Sequence, residues 1–196
     1  MIGSLFRRLN NARRLTPPLK FLLKDKTLRV GHPYNWEARD RISVGRGTTI
    51  RENSWLVPFT GWAGQVLQTS LVIGDRVYIG RHFTCAVIGR VEIGDDCVIS
   101  EHVYITDGDH AMEPLDVRIF ERPMVTKGPV IIGNSCFIGY GARILPGSGL
   151  GEHCVVGANA LVNRKFPAYS MVAGSPARLI KTFDHASGTW LAVPQD

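Results

Sequence analysis

The segment 105–116, ITDGDHAMEPLD, sets one imidazole, His110, among four carboxylates: Asp107, Asp109, Glu113 and Asp116. An imidazole titrates near neutral pH, so it can take a proton from an attacking nucleophile. Neighbouring acids can orient the ring and raise its basicity. That is general-base chemistry. A histidine in a charged loop is also what a plain surface residue looks like, and spacing by itself leaves both readings open. Cysteine chemistry is the weaker prospect. Cys85, Cys97, Cys136 and Cys154 include no CxxC pair, so packing is expected of them rather than metal binding, disulfides or nucleophilic attack.

A base has to be held by something, and the chain around this one has a period of six. Ile132, Ile138, Ile144, Leu150, Val156 and Val162 keep register, and the fourth residue after each is mostly small: Cys136, Ala142, Ser148, Cys154 and Ala160. A helix repeats at about 3.6 residues and a strand at 2, so neither explains it. A chain wound around a triangular prism does. Each wall is a short strand with one inward aliphatic residue, a second inward residue is small where the interior narrows, and Gly or Asn lets the backbone turn at the corner. An earlier run shows Ile73 and Ile79, a two-residue slip, then Val87, Ile93, Ile99 and Ile105, while Val44, Ile50 and Leu56 begin the pattern more weakly. The fold class is all-β, a parallel β-helix of hexapeptide repeats. Cys97, Cys136 and Cys154 occupy small inward slots, and Cys85 falls in the slipped hexads. Two segments leave the register and are expected to leave the prism as loops: 57–70, with Phe59 and Trp62, and 106–129, with His110. Loops on a rigid stack are where repeat proteins carry function.

With 196 residues, 44% of them hydrophobic, and 21 Gly, the chain reads as one elongated domain rather than two globules. Three regions are expected: a basic arm over 1–30, the β-helix over 31–182 and a tail over 183–196. The arm carries Arg7, Arg8, Arg13, Arg14, Lys20, Lys24, Lys26 and Arg29 against Asp25 alone, so it holds the whole positive excess of a chain whose net charge is +6. Leu5, Phe6 and Leu9, then Pro17 and Pro18, then Leu19, Phe21, Leu22 and Leu23 describe two short amphipathic helical pieces hinged at the prolines. Such an arm packs on the β-helix end or a neighbouring subunit, or it docks on an anionic membrane surface; both readings stay open. Nucleic acid is not an expected partner, because the aromatic residues are not interleaved with basic ones as a stacking platform requires. No apolar run approaches the roughly 20 residues of a membrane span, and FLL at 21–23 is too short for a secretion signal. A cytoplasmic protein is expected.

The repeats, the ITDGDH segment, the loop after it, the resumed repeats and the ending PAYSMVAGSPARLIK together resemble the hexapeptide-repeat acyltransferases that fold as a left-handed β-helix. The likeness is strongest to the sugar O-acetyltransferases of the maltose, galactoside and polysaccharide-modifying type, and it covers about residues 40–182. It implies a left-handed coil and a homotrimer with active sites between subunits. It also implies His110 as catalytic base, taking the proton of a sugar hydroxyl as that oxygen attacks the thioester of acetyl-CoA. The oxyanion would meet a backbone N–H near Gly139 and Tyr140. For the coenzyme, Ala158, Asn163, Arg164, Arg178 and Lys181 match the positions that hold the pantetheine arm and the nucleotide phosphates. His82, Asp107, Asp109 and Glu113 are the candidate acceptor-binding residues.

The sequence departs from the family pattern in three places. Phe137 stands where many relatives have Trp beside the coenzyme groove, Asn163-Arg164 replaces Thr-Lys, and His82 falls where sugar acetyltransferases with small substrates carry an acceptor-binding Asn. The last change puts acceptor identity in question, and His82 as a bare turn residue is the competing reading. His102 and His153 receive no role; Tyr104 and Tyr140 either line the groove or pack on a neighbouring subunit. The γ-type carbonic anhydrases share the prism and bind a metal through three histidines at subunit boundaries. His82, His102 and His110 are the histidines on offer, but that family's paired spacing is missing, so no metal is expected. A non-catalytic scaffold fits poorly with the presence of both His110 and the C-terminal basic residues. N-acetylation of an amino sugar or antibiotic needs the same base and is the alternative to O-acetylation of a cell-surface polysaccharide or its precursor.

Overall fold

A computed structural model describes residues 27–32 and 34–194; the amphipathic pieces expected within 1–26 lie outside the described residues. Three sheets run as the walls of a left-handed prism. The first wall begins at Arg29–Val30, the second at Tyr34–Trp36 and the third at Ile42–Val44, and each coil adds one strand to every wall. The coil therefore starts at Arg29, inside the span expected to be arm. Pairing is parallel and in register, so like stacks on like. Ile50, Ile79, Ile99, Ile138, Val156 and Val172 form one inward ladder. Ile73, Ile93, Ile132, Leu150 and Phe166 form another. All are buried.

The ladder of the second wall corrects the register of the slip. Leu56, Cys85, Ile105, Ile144 and Val162 stack there, so Cys85 rather than Val87 holds the six-residue position. The two extra residues follow it, at the corner before Arg90–Ile93. Both Cys85 and Val87 are fully buried, which is why their apolar character could not separate them. Cys97, Cys136 and Cys154 stack at the corner leading into the first wall, and their thiols donate to the carbonyls of Gly133, Gly151 and Pro167 in the next coil.

Gly47, Gly141 and Gly147 take the left-handed conformation at three corners, but most corners reach it without Gly. Arg76, His82, Asp96, His102, Ser135, His153, Asn159 and Tyr169 all take left-handed φ between +54° and +61°. Such a residue costs roughly 1–2 kcal/mol, and here each is held by its own N–H bonding a carbonyl in the coil before, as His82 does with Glu52 and Asn159 with Tyr140. The glycines that follow the inward aliphatic residues answer a different need. A Cβ on Gly94 would lie 2.3 Å from Asn134 Oδ1 and 2.8 Å from the Gly133 carbonyl carbon. Gly follows the inward aliphatic residue because the next coil's backbone lies against it.

The expected C-terminal tail is, through Ala192, part of the fold. Arg178–Asp184 pairs antiparallel with both Ser170–Ala173 and Thr189–Ala192, and the Gly188 N–H closes the turn on the Asp184 carbonyl at 2.9 Å. This hairpin covers the strand edge that a stack of parallel coils would otherwise leave bare. Among the described residues no helix is long and apolar enough to cross a membrane.

Ile93→Ala, deep in a ladder, should lower unfolding free energy by about 2–5 kcal/mol in urea titration. Glu92→Gln, its outward neighbour in an exposed ion pair with Arg90, should change it by no more than about 1 kcal/mol.

Candidate active site

Every irregularity in the coil exits at one corner, between the second and third walls. The second coil carries a hairpin of Gly61–Trp62 against Gln65–Val66, the third its two extra residues, and the fourth the segment with His110. In the fourth, Gly108–His110 pairs antiparallel with Met124–Thr126, and His110 lies opposite Met124. Beyond the hairpin, Arg122 is 8% exposed and donates to the carbonyls of Met112, Leu115 and Val117, so one guanidinium fixes the loop's path.

Asp107 anchors the hairpin at its root. It is fully buried and accepts the N–H groups of Ile88, Gly89 and Arg90 at 2.8, 2.9 and 2.6 Å. Its expected place beside substrate is corrected: both oxygens are engaged by the corner of the coil below, at Ile88, Gly89 and Arg90. Asp109 is exposed and accepts the backbone N–H of His110 at 3.0 Å. Glu113 and Asp116 are exposed on the loop. Among the described residues no carboxylate hydrogen-bonds the imidazole, so the expectation that acids orient it is not what this structure shows.

What meets the ring is aromatic. The Trp62 indole lies 5.1 Å from the His110 imidazole, centroid to centroid, at 66°, and 5.0 Å from Phe120; Phe59 backs it at 6.4 Å. His110 Nδ1 and Trp62 Nε1 are buried without a protein partner. Nε2 is the nitrogen left to face an incoming group. The two hairpins are tied by Gln65, whose amide donates to the Met124 carbonyl at 3.2 Å and accepts the Met124 N–H at 2.7 Å. Trp62 was visible in the sequence as an aromatic residue in a loop; Gln65 and Arg122 carried no signal of periodicity or motif.

The other candidates fall in separate places. Gly139, Tyr140 and Ala158 lie together at the corner between the first and second walls, where a Cβ on Gly139 would come within 2.7 Å of Ala158 N. The Gly139 N–H is taken by the Val156 carbonyl at 2.8 Å, so of the two expected oxyanion donors the coil-to-coil bonding leaves only that of Tyr140. His82 is on the same corner, its ring stacked on His102 at 4.6 Å and 17°, with Tyr140 next at 5.2 Å. Stacked parallel plates do not converge their nitrogens on one ion, and the His110 hairpin leaves from a different corner. No three-histidine set forms among the described residues. Asn163 and Arg164 are exposed at the corner of the hairpins, with Arg164 over the Phe166 ring at 5.2 Å, and Arg178 and Lys181 are exposed on the closing hairpin. On the third wall, Gly149 leaves a hollow of about 200 Å³ lined by Pro129, Ile131, Lys165 and Phe166. It lies between Pro129, where the 106–129 segment ends, and Lys165–Phe166.

Family models for the bacterial transferase hexapeptide (six repeats) and for the hexapeptide repeat of succinyl-transferase match residues 129–164 and 70–107. A probable acetyltransferase of Mycobacterium tuberculosis is 36% identical over 72% of this chain and 44% of its own length. A putative lipopolysaccharide biosynthesis O-acetyl transferase of Escherichia coli is 32% identical over 61% of this chain and 64% of its own. The chain thus spans less than two thirds of either. Among solved structures, an N-acyltransferase from Bacillus cereus in complex with dTDP and 3-hydroxybutyryl-CoA aligns at TM-score 0.67 with 21% identity, over 83% of this chain and 84% of that one, a likeness of fold.

Asp107→Asn, which removes the charge from a three-donor acceptor, should lower stability by about 1.5–3 kcal/mol, read as a drop in thermal midpoint. An unchanged midpoint with lost substrate binding would return Asp107 to the acceptor site.

Proposed function

This chain belongs to the hexapeptide-repeat acyltransferases, and from that premise we propose that it transfers an acetyl group from acetyl-CoA to a hydroxyl of a sugar in a cell-surface polysaccharide or its precursor. The observation that carries this reading is the state of His110, whose ring packs edge-on against Trp62 with Nδ1 buried and Nε2 left outside that buried set. An imidazole so placed acts as general base through Nε2. The acceptor hydroxyl loses its proton to Nε2 as its oxygen forms the new C–O bond to the thioester carbonyl carbon. The C–S bond then breaks, and the imidazolium returns the proton to the departing thiolate. The Tyr140 N–H is the donor assigned to the oxyanion. Arg164, Arg178 and Lys181 are assigned to the coenzyme's phosphates, with the hollow over Gly149 as the path of its flexible arm. No metal takes part.

His110 and Tyr140 sit on different corners of one chain, so this chemistry needs a second copy beside the first. An outward row of Tyr78, Val98 and Phe137 on the first wall, 40–44% exposed, runs along the Tyr140 corner and offers an apolar face for that contact. A homotrimer is the closed assembly this reading takes. Of the acceptor candidates, His82 and Asp109 remain exposed, and with Glu113 they are assigned to hydroxyl recognition. Localisation is taken as cytoplasmic, with the basic arm drawing the enzyme toward membrane-bound substrate. Acyl transfer to an amine is the second reading. It is favoured by the fold's likeness to the Bacillus cereus N-acyltransferase, since an amine acceptor uses the same base.

With acetyl-CoA and a panel of glycan and amino-sugar acceptors, thiol release is expected with a hydroxyl acceptor, and His110→Ala should lose at least about 10²-fold in turnover. Full activity in that variant would remove His110 from the mechanism. In sedimentation, the wild-type chain should run as a trimer and Val98→Glu/Phe137→Glu as smaller species; a monomeric active wild type would contradict the two-copy site.

A further inference from the structure

We infer that Gln65 is a positioning residue for His110, acting through a four-residue square that joins the two extruded hairpins. This rests on the reading of His110 as the base. In one hairpin Trp62 is paired with Gln65; in the other His110 is paired with Met124. The contacts between hairpins link the same four residues crosswise, ring to ring from Trp62 to His110 and side chain to backbone from Gln65 to Met124. The indole's cross-strand partner therefore grips the imidazole's cross-strand partner.

The chemistry of the grip narrows the side chain. A carboxamide carries a donor and an acceptor on one planar group, so it can satisfy both the N–H and the C=O of Met124, as a neighbouring strand would. The segments are 59 residues apart in the chain, and the coil that separates them contributes Ile88 as a spacer: a Cβ on Gly108 would lie 2.3 Å from the Ile88 side chain. With no carboxylate among the described residues on the imidazole, its orientation is set by Trp62, and Trp62 is held in place by Gln65. Removing the amide frees one hairpin to move against the other and lets the imidazole turn within its cage. A displacement of about 1 Å at a reacting group can cost up to 10²-fold in rate.

The test uses the full chain with Gln65→Ala and Gln65→Glu; the second keeps an acceptor for the Met124 N–H but opposes a carboxylate to the Met124 carbonyl. Amide hydrogen exchange followed by mass spectrometry should speed up in 61–66, 108–111 and 124–126 in both variants, with the β-helix walls unchanged. Turnover should fall at least about tenfold, with KM for acetyl-CoA within about twofold of wild type. Gln65→Ala combined with Trp62→Ala should lose no more than the worse single variant, because the two act as a unit. Unchanged exchange in both hairpins, or unchanged kcat in an active protein, would overturn the inference. If the wild-type chain acetylates no acceptor, the transferase reading fails separately, and exchange alone decides whether the clamp exists.

Discussion

Along the walls each coil bonds backbone to backbone with the coils directly before and after it, at a separation so close that a Cβ on Gly94 or Gly139 would strike the neighbouring main chain. That constraint governs the rest of the molecule. A residue too many cannot be absorbed within a wall without breaking every ladder above it, so it has to leave at a corner. The three departures use the same corner, and because the coils stack in register, what leaves the second coil meets what leaves the fourth across the third. The fold thereby assembles a structured site from insertions distant in sequence.

That arrangement explains the division of labour among polar groups. Asp107 looks like part of the acidic cluster around His110, yet the corner of the coil below, Ile88, Gly89 and Arg90, presents three N–H groups that a fully buried carboxylate satisfies. Its charge serves the root of the hairpin, and the imidazole is left to aromatic neighbours. Arg122 does for the outer loop what Asp107 does at its base, collecting the carbonyls that an irregular segment cannot pair with itself.

The sequence displayed the prism because inward aliphatic residues recur at the pitch of the walls, and it displayed His110 because a histidine in a motif outside the register stands out against that repeat. It mislocated the slip because Cys85 and Val87 are both apolar and both face inward. It missed the closing hairpin because Arg178–Asp184 has half-buried residues in adjacent pairs with neither alternation nor a six-residue pattern, although the Asp184-to-Gly188 turn carries hairpin chemistry. The left-handed corners were hidden, since His, Asp, Ser and Tyr adopt that conformation here only because the coil below bonds their N–H groups. Gln65 was out of reach for the same kind of reason: its partner is defined by the stacking of coils, which no local spacing encodes.

The most direct measurement is a crystal structure with acetyl-CoA and an unreactive deoxy-sugar acceptor. The thioester carbonyl is expected between His110 Nε2 of one copy and the Tyr140 N–H of another, with room for one hydroxyl oxygen about 3 Å from both the imidazole and the carbonyl carbon. A thioester bound away from the His110 hairpin would contradict the site described above.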